Sequence, residues 1–406
     1  MIVGAFLLAG ATAPAAAGGL ERQICVKQTG PGVIAACTVV IEDHSESDVV
    51  RAGAYNNRGY FEDAAGNGEA AMADYTAAIR LDPDNADPFE NRAVLYANQG
   101  DTDHAIADYT AAIEIDGQRS TAFANRGLAW ATKGEPDKAL ADFNEAIRLA
   151  PDVASFYYDR GYSYQDISDL DAAIADFSEA VRLDPKLSDA FVSRGLAYAD
   201  KLDPDRAIAD YDAALRLKPA DANALFDRGN AWADKGDYAR AVADYSATLA
   251  IDRRDAFALK SRGMMQVLLR HLPEAIADFS AATEILPSEP YTHLWLDIAQ
   301  RRAGQASSLP DGWSQIAEDK WPAPIFAHLT GALSADELVA AAQDHDPVAE
   351  KGQLCEVNFY RGERALVTGS TEEGKALLQA ALDTCPHDFD EYVGATAELQ
   401  NLAASP

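Results

Sequence analysis

An arginine returns every 34 residues through the middle of the chain, at Arg58, Arg92, Arg126, Arg160, Arg194, Arg228 and Arg262. Each precedes a glycine except Arg92, which precedes Ala93. Thirteen residues after each arginine begins a block of the form Ala-x-Ala-Asp-aromatic, first at 71–75 and last at 275–279. Seven copies at a fixed period exclude a single layered globule. Each copy must be one supersecondary piece that buries its apolar face only by stacking on its neighbours. A domain count taken from the 406-residue length would therefore mislead.

Inside a copy the apolar residues recur with helical spacing. Phe123, Gly127 and Trp130 lie at i, i+4 and i+7, and so do Ala139, Phe143 and Ala146. Two helices per copy follow, with Gly100, Gly134 and Gly236 between them. Pro83, Pro151, Pro185, Pro219 and Pro287 close most second helices. Small residues set against aromatic ones let the two backbones approach closely, and the aromatics fill the space between neighbouring hairpins.

These residues resemble the tetratricopeptide repeat, whose unit carries this Gly, aromatic, Ala, aromatic, Ala, Pro pattern; the resemblance runs over about 51–287. It implies an all-α chain wound as a right-handed superhelical solenoid of helix-turn-helix repeats, with the first helix of each repeat on the concave wall. Glu62 and Gln266 stand where the first and last copies would carry an aromatic, which predicts looser packing at the two ends of the array.

Sixteen residues after each arginine lies an aspartate, from Asp74 to Asp278. A charge pair that repeats unchanged reads as scaffold, because binding sites vary between repeats. Arg160 with Asp176 and Arg194 with Asp210 are expected to be structural ion pairs across a hairpin or to the next one. The resemblance also turns a fixed set of first-helix positions toward the concave wall. In this chain those positions hold Asp63, Asp87, Glu90, Asp166, Asp189, Asp200 and Asp234 against one base, Lys260. Between the acids stand Tyr60, Leu128, Tyr158, Tyr162, Val192, Leu196, Phe226, Phe257 and Met264. Such a groove suits a protein or peptide segment with basic and apolar side chains, seated mostly between Tyr158 and Phe226. The surface around Phe359 and Tyr360 is the alternative recognition face.

Both flanks differ from the array. Residues 1–17 read as an export signal, with Phe6-Leu7-Leu8 as its apolar stretch and Ala15 and Ala17 before Gly18, although no base precedes them. Residues 18–50 read as a worn half-repeat that caps the seven repeats of 51–288. Residues 289–312 hold a helix and a Gly/Ser/Pro-rich linker, and 313–406 form a helical tail. Tail helices are expected at 323–330, 334–342, 353–368, 371–383 and 389–402, with Ser334 and Thr371 as caps. Arg361-Gly362 and Pro386 mark a degenerate eighth repeat. Trp321, Asn358, Phe359, Tyr360, Gly362 and Phe389 resemble the tail of NlpI-type envelope lipoproteins, which implies an adaptor that brings an envelope protease or peptidoglycan hydrolases to their targets.

The four cysteines fall into local pairs, Cys25 with Cys37 and Cys355 with Cys385, as suits disulfides in an oxidising compartment. Against 34 Lys and Arg stand 65 Asp and Glu, a formal charge of -31 that disfavours nucleic acid and anionic membranes as partners. The seven histidines are scattered, and Asp344-His345-Asp346 reads as a solvated turn, so no catalytic residue, metal or cofactor is expected. The sequence thus describes a non-catalytic, periplasmic interaction scaffold of undetermined oligomeric state. A cytoplasmic co-chaperone or assembly factor is the alternative, and a hydrolase sited in the tail a third reading.

Overall fold

The computed structural model describes residues 19–27, 32–309, 320–386 and 389–404. The expected export signal, His387 and part of the linker lie outside them. Among the described residues every regular element is a helix, and two compact units divide at 197/198. The first unit holds α1 (Gly19–Lys27), α2 (Val33–Glu42), α3 (Asp48–Ala64), α4 (Gly68–Leu81), α5 (Ala86–Asn98), α6 (Thr102–Ile115), α7 (Ser120–Thr132), α8 (Pro136–Leu149), α9 (Ala154–Asp166) and α10 (Leu170–Leu183). The division falls within α11 (Ser188–Asp200). The second unit holds α12 (Pro204–Leu217), α13 (Ala222–Asp234), α14 (Tyr238–Ile251), α15 (Ala256–Leu268), α16 (Leu272–Ile285), α17 (Pro290–Arg302), α18 (Ala323–Thr330), α19 (Ala335–Ala341), α20 (Pro347–Val367), α21 (Thr371–Thr384) and α22 (Asp390–Ala404). Within each unit most consecutive helices pack in pairs, the arrangement of a tetratricopeptide solenoid.

Local chemistry sets where the helices begin. Asp101, Asp169, Asp203 and Asp237 cap α6, α10, α12 and α14, each side chain accepting from a backbone N–H of the first turn. Just before these caps the chain must turn through a left-handed residue, and that residue also recurs every 34 positions. It is glycine at Gly66, Gly100, Gly134, Gly236 and Gly304, but Ser168 (φ 62°), Leu202 (φ 57°) and Arg270 (φ 64°) take the same conformation at a steric cost.

Close approach of the paired helices depends on the missing side chain of a first-helix glycine. A Cβ on Gly127 would come within 2.9 Å of the Phe143 ring. In the tail, a Cβ on Gly362 would come within 3.0 Å of Leu378 with the same sixteen-residue offset, so α20 and α21 keep the geometry of a repeat although Leu replaces the aromatic. Helix α20 begins at Pro347 rather than at 353, because Asp346 caps it and proline fits its first turn. Ser370, not Thr371, is the cap position of α21, whereas Ser334 and Glu337 form a full capping box on α19.

At the start of the first unit, α1 and α2 share a small core of Val33, Ala36, Val40 and Ile41 with Ala54 of α3, and the Cys25–Cys37 disulfide ties them together. In the second unit Cys355 and Cys385 are also bonded. One buried cluster runs there from Ala241 and Tyr245 through Trp295 to Phe359 and Ala397, so repeat and tail helices share a core. The expected looseness at the last copy is not observed. Helix α15 buries nine residues, Gln266 among them, where α9 buries three, because tail residues cover it.

Candidate functional site

The repeated arginine is the most regular polar feature of the structure. Arg160 donates from Nε and Nη2 to the two carboxylate oxygens of Asp176, both at 2.7 Å, and from Nη1 to Asn144 Oδ1 at 2.5 Å. Arg58, Arg92, Arg126, Arg228 and Arg262 make the same fork onto Asp74, Asp108, Asp142, Asp244 and Asp278. The third arm reaches back to the second helix of the preceding copy, onto Thr38, Thr76, Thr110, Asp212 or Ser246. Arg194 reaches Ser178 in this way at 3.0 Å; Asp210 is buried in the other unit. An aromatic three residues earlier lies against several of these guanidinium groups, as Tyr157 does for Arg160 at 5.8 Å. Each arginine is thus a rivet between adjacent hairpins, with little of its charge left for a ligand.

The first-helix wall is more varied. In the first unit Tyr162 is 53 % exposed and Tyr60 39 %, while Leu128, Tyr158, Val192 and Leu196 are half-buried and Asp166 is exposed. Glu90 must be removed from the candidate contacts. It is fully buried, accepting from Arg119 Nη1 at 2.9 Å and Thr121 Oγ1 at 2.6 Å, and Arg119 also takes Asp87 at 2.5 Å. Arg119 is a base the wall count missed because it ends its copy just before α7. Asp159, next to Tyr158, was also overlooked; burial pushes its carboxyl up to about 6.

In the second unit Asp200 is exposed, Phe226 is half-buried with its ring 5.5 Å from Tyr245, and burial raises the Asp234 carboxyl. Burial likewise pushes Asp227 up to about 6, with Asp221 adding repulsion. Met264 is a second correction. It is 4 % exposed in the shared core, and the tail helix α22 packs on the same face, with Asp390 2.9 Å from Lys260 and Glu398 2.9 Å from Arg270. Phe359 and Tyr360 fail as an alternative face because both are buried, Phe359 against Trp295 and Tyr360 donating to Glu391.

Asp344 and Asp346 are occupied in the turn before α20, each accepting a backbone N–H two residues on. Among the described residues no group of three or more His, Cys, Asp or Glu could hold a metal ion, and no helix is long and apolar enough to cross a membrane.

Residues 90–154, 125–188, 158–219 and 192–256 match the family described as tetratricopeptide repeat, and 64–100 match a second family described as TPR repeat. Among solved structures the chain is similar to YrrB, a TPR protein with an unusual peptide-binding site, at 24% identity, TM-score 0.41, over 46% of this chain and 95% of that one. It is similar to MamA at 26% identity, TM-score 0.39, over 40% and 96% of the two chains. A tetratricopeptide repeat protein from Parabacteroides merdae aligns at 21% identity, TM-score 0.46, over 61% and 98%. No curated protein matches the chain.

Proposed function

We propose that this chain, which carries tetratricopeptide repeats across 64–256, is a non-catalytic adaptor that holds a protein segment with basic and apolar side chains against the first helices of its repeats. The observation that carries this reading is the exposure of Tyr60 and Tyr162 on α3 and α9, near Asp63 and Asp166. Large aromatic side chains in water beside carboxylates suit a partner that brings both apolar area and positive charge. The wall available to it is narrower than the sequence implied, since Glu90 and Met264 are already engaged.

Two disulfides support an oxidising compartment, and with the export signal read in 1–17 they favour the periplasm over the cytoplasm. The resemblance of the tail to envelope adaptors makes an envelope protease or a peptidoglycan hydrolase the cargo class. A labelled peptide of lysine and leucine should bind the full chain, more weakly as salt rises. Tyr60→Ala with Tyr162→Ala should abolish that binding while leaving thermal unfolding unchanged. Equal binding by the double variant would show that this wall is not the recognition surface.

A further inference from the structure

Helix α22 lies on α15 with an unusual set of groups at its start. Glu391, in its first turn, is 3 % exposed and accepts from Tyr360 Oη at 2.9 Å. Nearby on α20, Glu356 is also buried and accepts from Trp321 Nε1 at 3.0 Å and Tyr291 Oη at 3.3 Å. The groups that face this pair are Asp390 on α22, Tyr360 on α20, Glu289 and Tyr291 at the start of α17, Lys260 on α15 and, toward Asp390, Tyr245 on α14. Asp390, Glu289 and Glu391 thus share one amine, Lys260, which is already bound to Asp390 at 2.9 Å, while Glu356 lies against Glu391. The far end of α22 differs. There Glu398 meets Arg302 at 2.7 Å and Arg270 at 2.9 Å, and Glu363 meets Arg302 at 2.5 Å, two acids on two bases.

We propose that α22 is a proton-held cover over the first helix of the seventh repeat, seated while the Glu356–Glu391 pair keeps a proton and released when the pair gives it up. Release uncovers Met264, Val267 and Leu268, an apolar strip that continues the first-helix wall in the second unit. Burial first, and the neighbouring carboxylate second, push Glu356 up to about 8; burial and then Asp390 push Glu391 up to about 7. A carboxyl whose value is higher in the seated state than in the free one favours seating at low pH and loses that contribution as pH rises. The loss begins near the ordinary value of 4.5 and is complete above about 8. For one proton the ratio of seated to released helix falls about tenfold per pH unit in that window.

Hydrogen exchange on the full chain tests this without any partner, so its outcome is separate from that of the groove. Between about pH 5.5 and about pH 7.5, after correction for the chemical exchange rate, protection of α22 should fall roughly a hundredfold relative to α12. Glu356→Gln with Glu391→Gln keeps the hydrogen-bond acceptors but not the charge, and should make protection of α22 independent of pH. Lys260→Met removes the amine that holds the Glu391 carboxyl down, so the loss of protection should extend to higher pH. The proposal is overturned if α22 and α12 respond alike in the wild-type chain, or if the double glutamine variant keeps the wild-type response.

Discussion

Replacing Asp176 by alanine isolates the rivet. In the native chain Asp176 is 6 % exposed and receives two charge-assisted bonds from Arg160, each 2.7 Å long. Removing it strands a mostly buried guanidinium that keeps Asn144 and the faces of Tyr157 and Tyr164. Breaking a buried pair from one side costs roughly 3–5 kcal/mol, and partial access of water to the arginine places this case near the lower end, about 3 kcal/mol. Urea unfolding of wild type and variant, followed by far-UV circular dichroism, measures the loss. Local hydrogen exchange should place it in α9 and α10. Arg160→Met with Asp176→Leu removes both charges and should recover most of the stability, because the penalty comes from the unpaired charge rather than from the absence of a pair. A single-variant loss below about 1 kcal/mol, or a double variant as unstable as the single one, would refute the view that this pair is buried scaffold.

Leu202→Gly should stabilise the chain by up to about 1 kcal/mol, since Leu202 is exposed and holds φ at 57°, a conformation glycine adopts without strain; a raised melting temperature would register the gain. Cys355→Ala with Cys385→Ala opens a crosslink between residues 30 apart and should cost about 2–4 kcal/mol, which denaturant unfolding with and without reductant would measure.

The sequence revealed the hairpins, their boundaries and the charge pairs because each is written in the 34-residue period. The third arm of the rivet was written there too, as Thr76, Thr110, Asn144, Ser178, Asp212 and Ser246, each sixteen residues before an arginine. Small polar residues carry no helical signal of their own, so this row does not stand out from the sequence alone. Asp346-Pro347, a cap followed by a first-turn proline, likewise marks the start of α20, ahead of the apolar pattern that begins near 353. The covering of α15 was beyond pattern reading. Lys260, a base on the wall, finds its partner Asp390 130 residues away, and no periodicity connects the two. Burial of Glu90 by Arg119 has a related origin, since the last residue of a copy reaches back 29 positions onto the first helix of that same copy, a contact that no 34-residue spacing marks.

The rivet also bears on how an array of this kind can change length. Every arginine asks the preceding copy for one thing, a small oxygen-bearing side chain at a fixed place, and Thr, Ser, Asn and Asp all supply it. Each copy presents the same plug at one side and accepts it at the other. An internal copy could therefore be duplicated or lost in multiples of 34 residues without leaving a mismatched joint, much as identical couplings allow wagons to be added to a train.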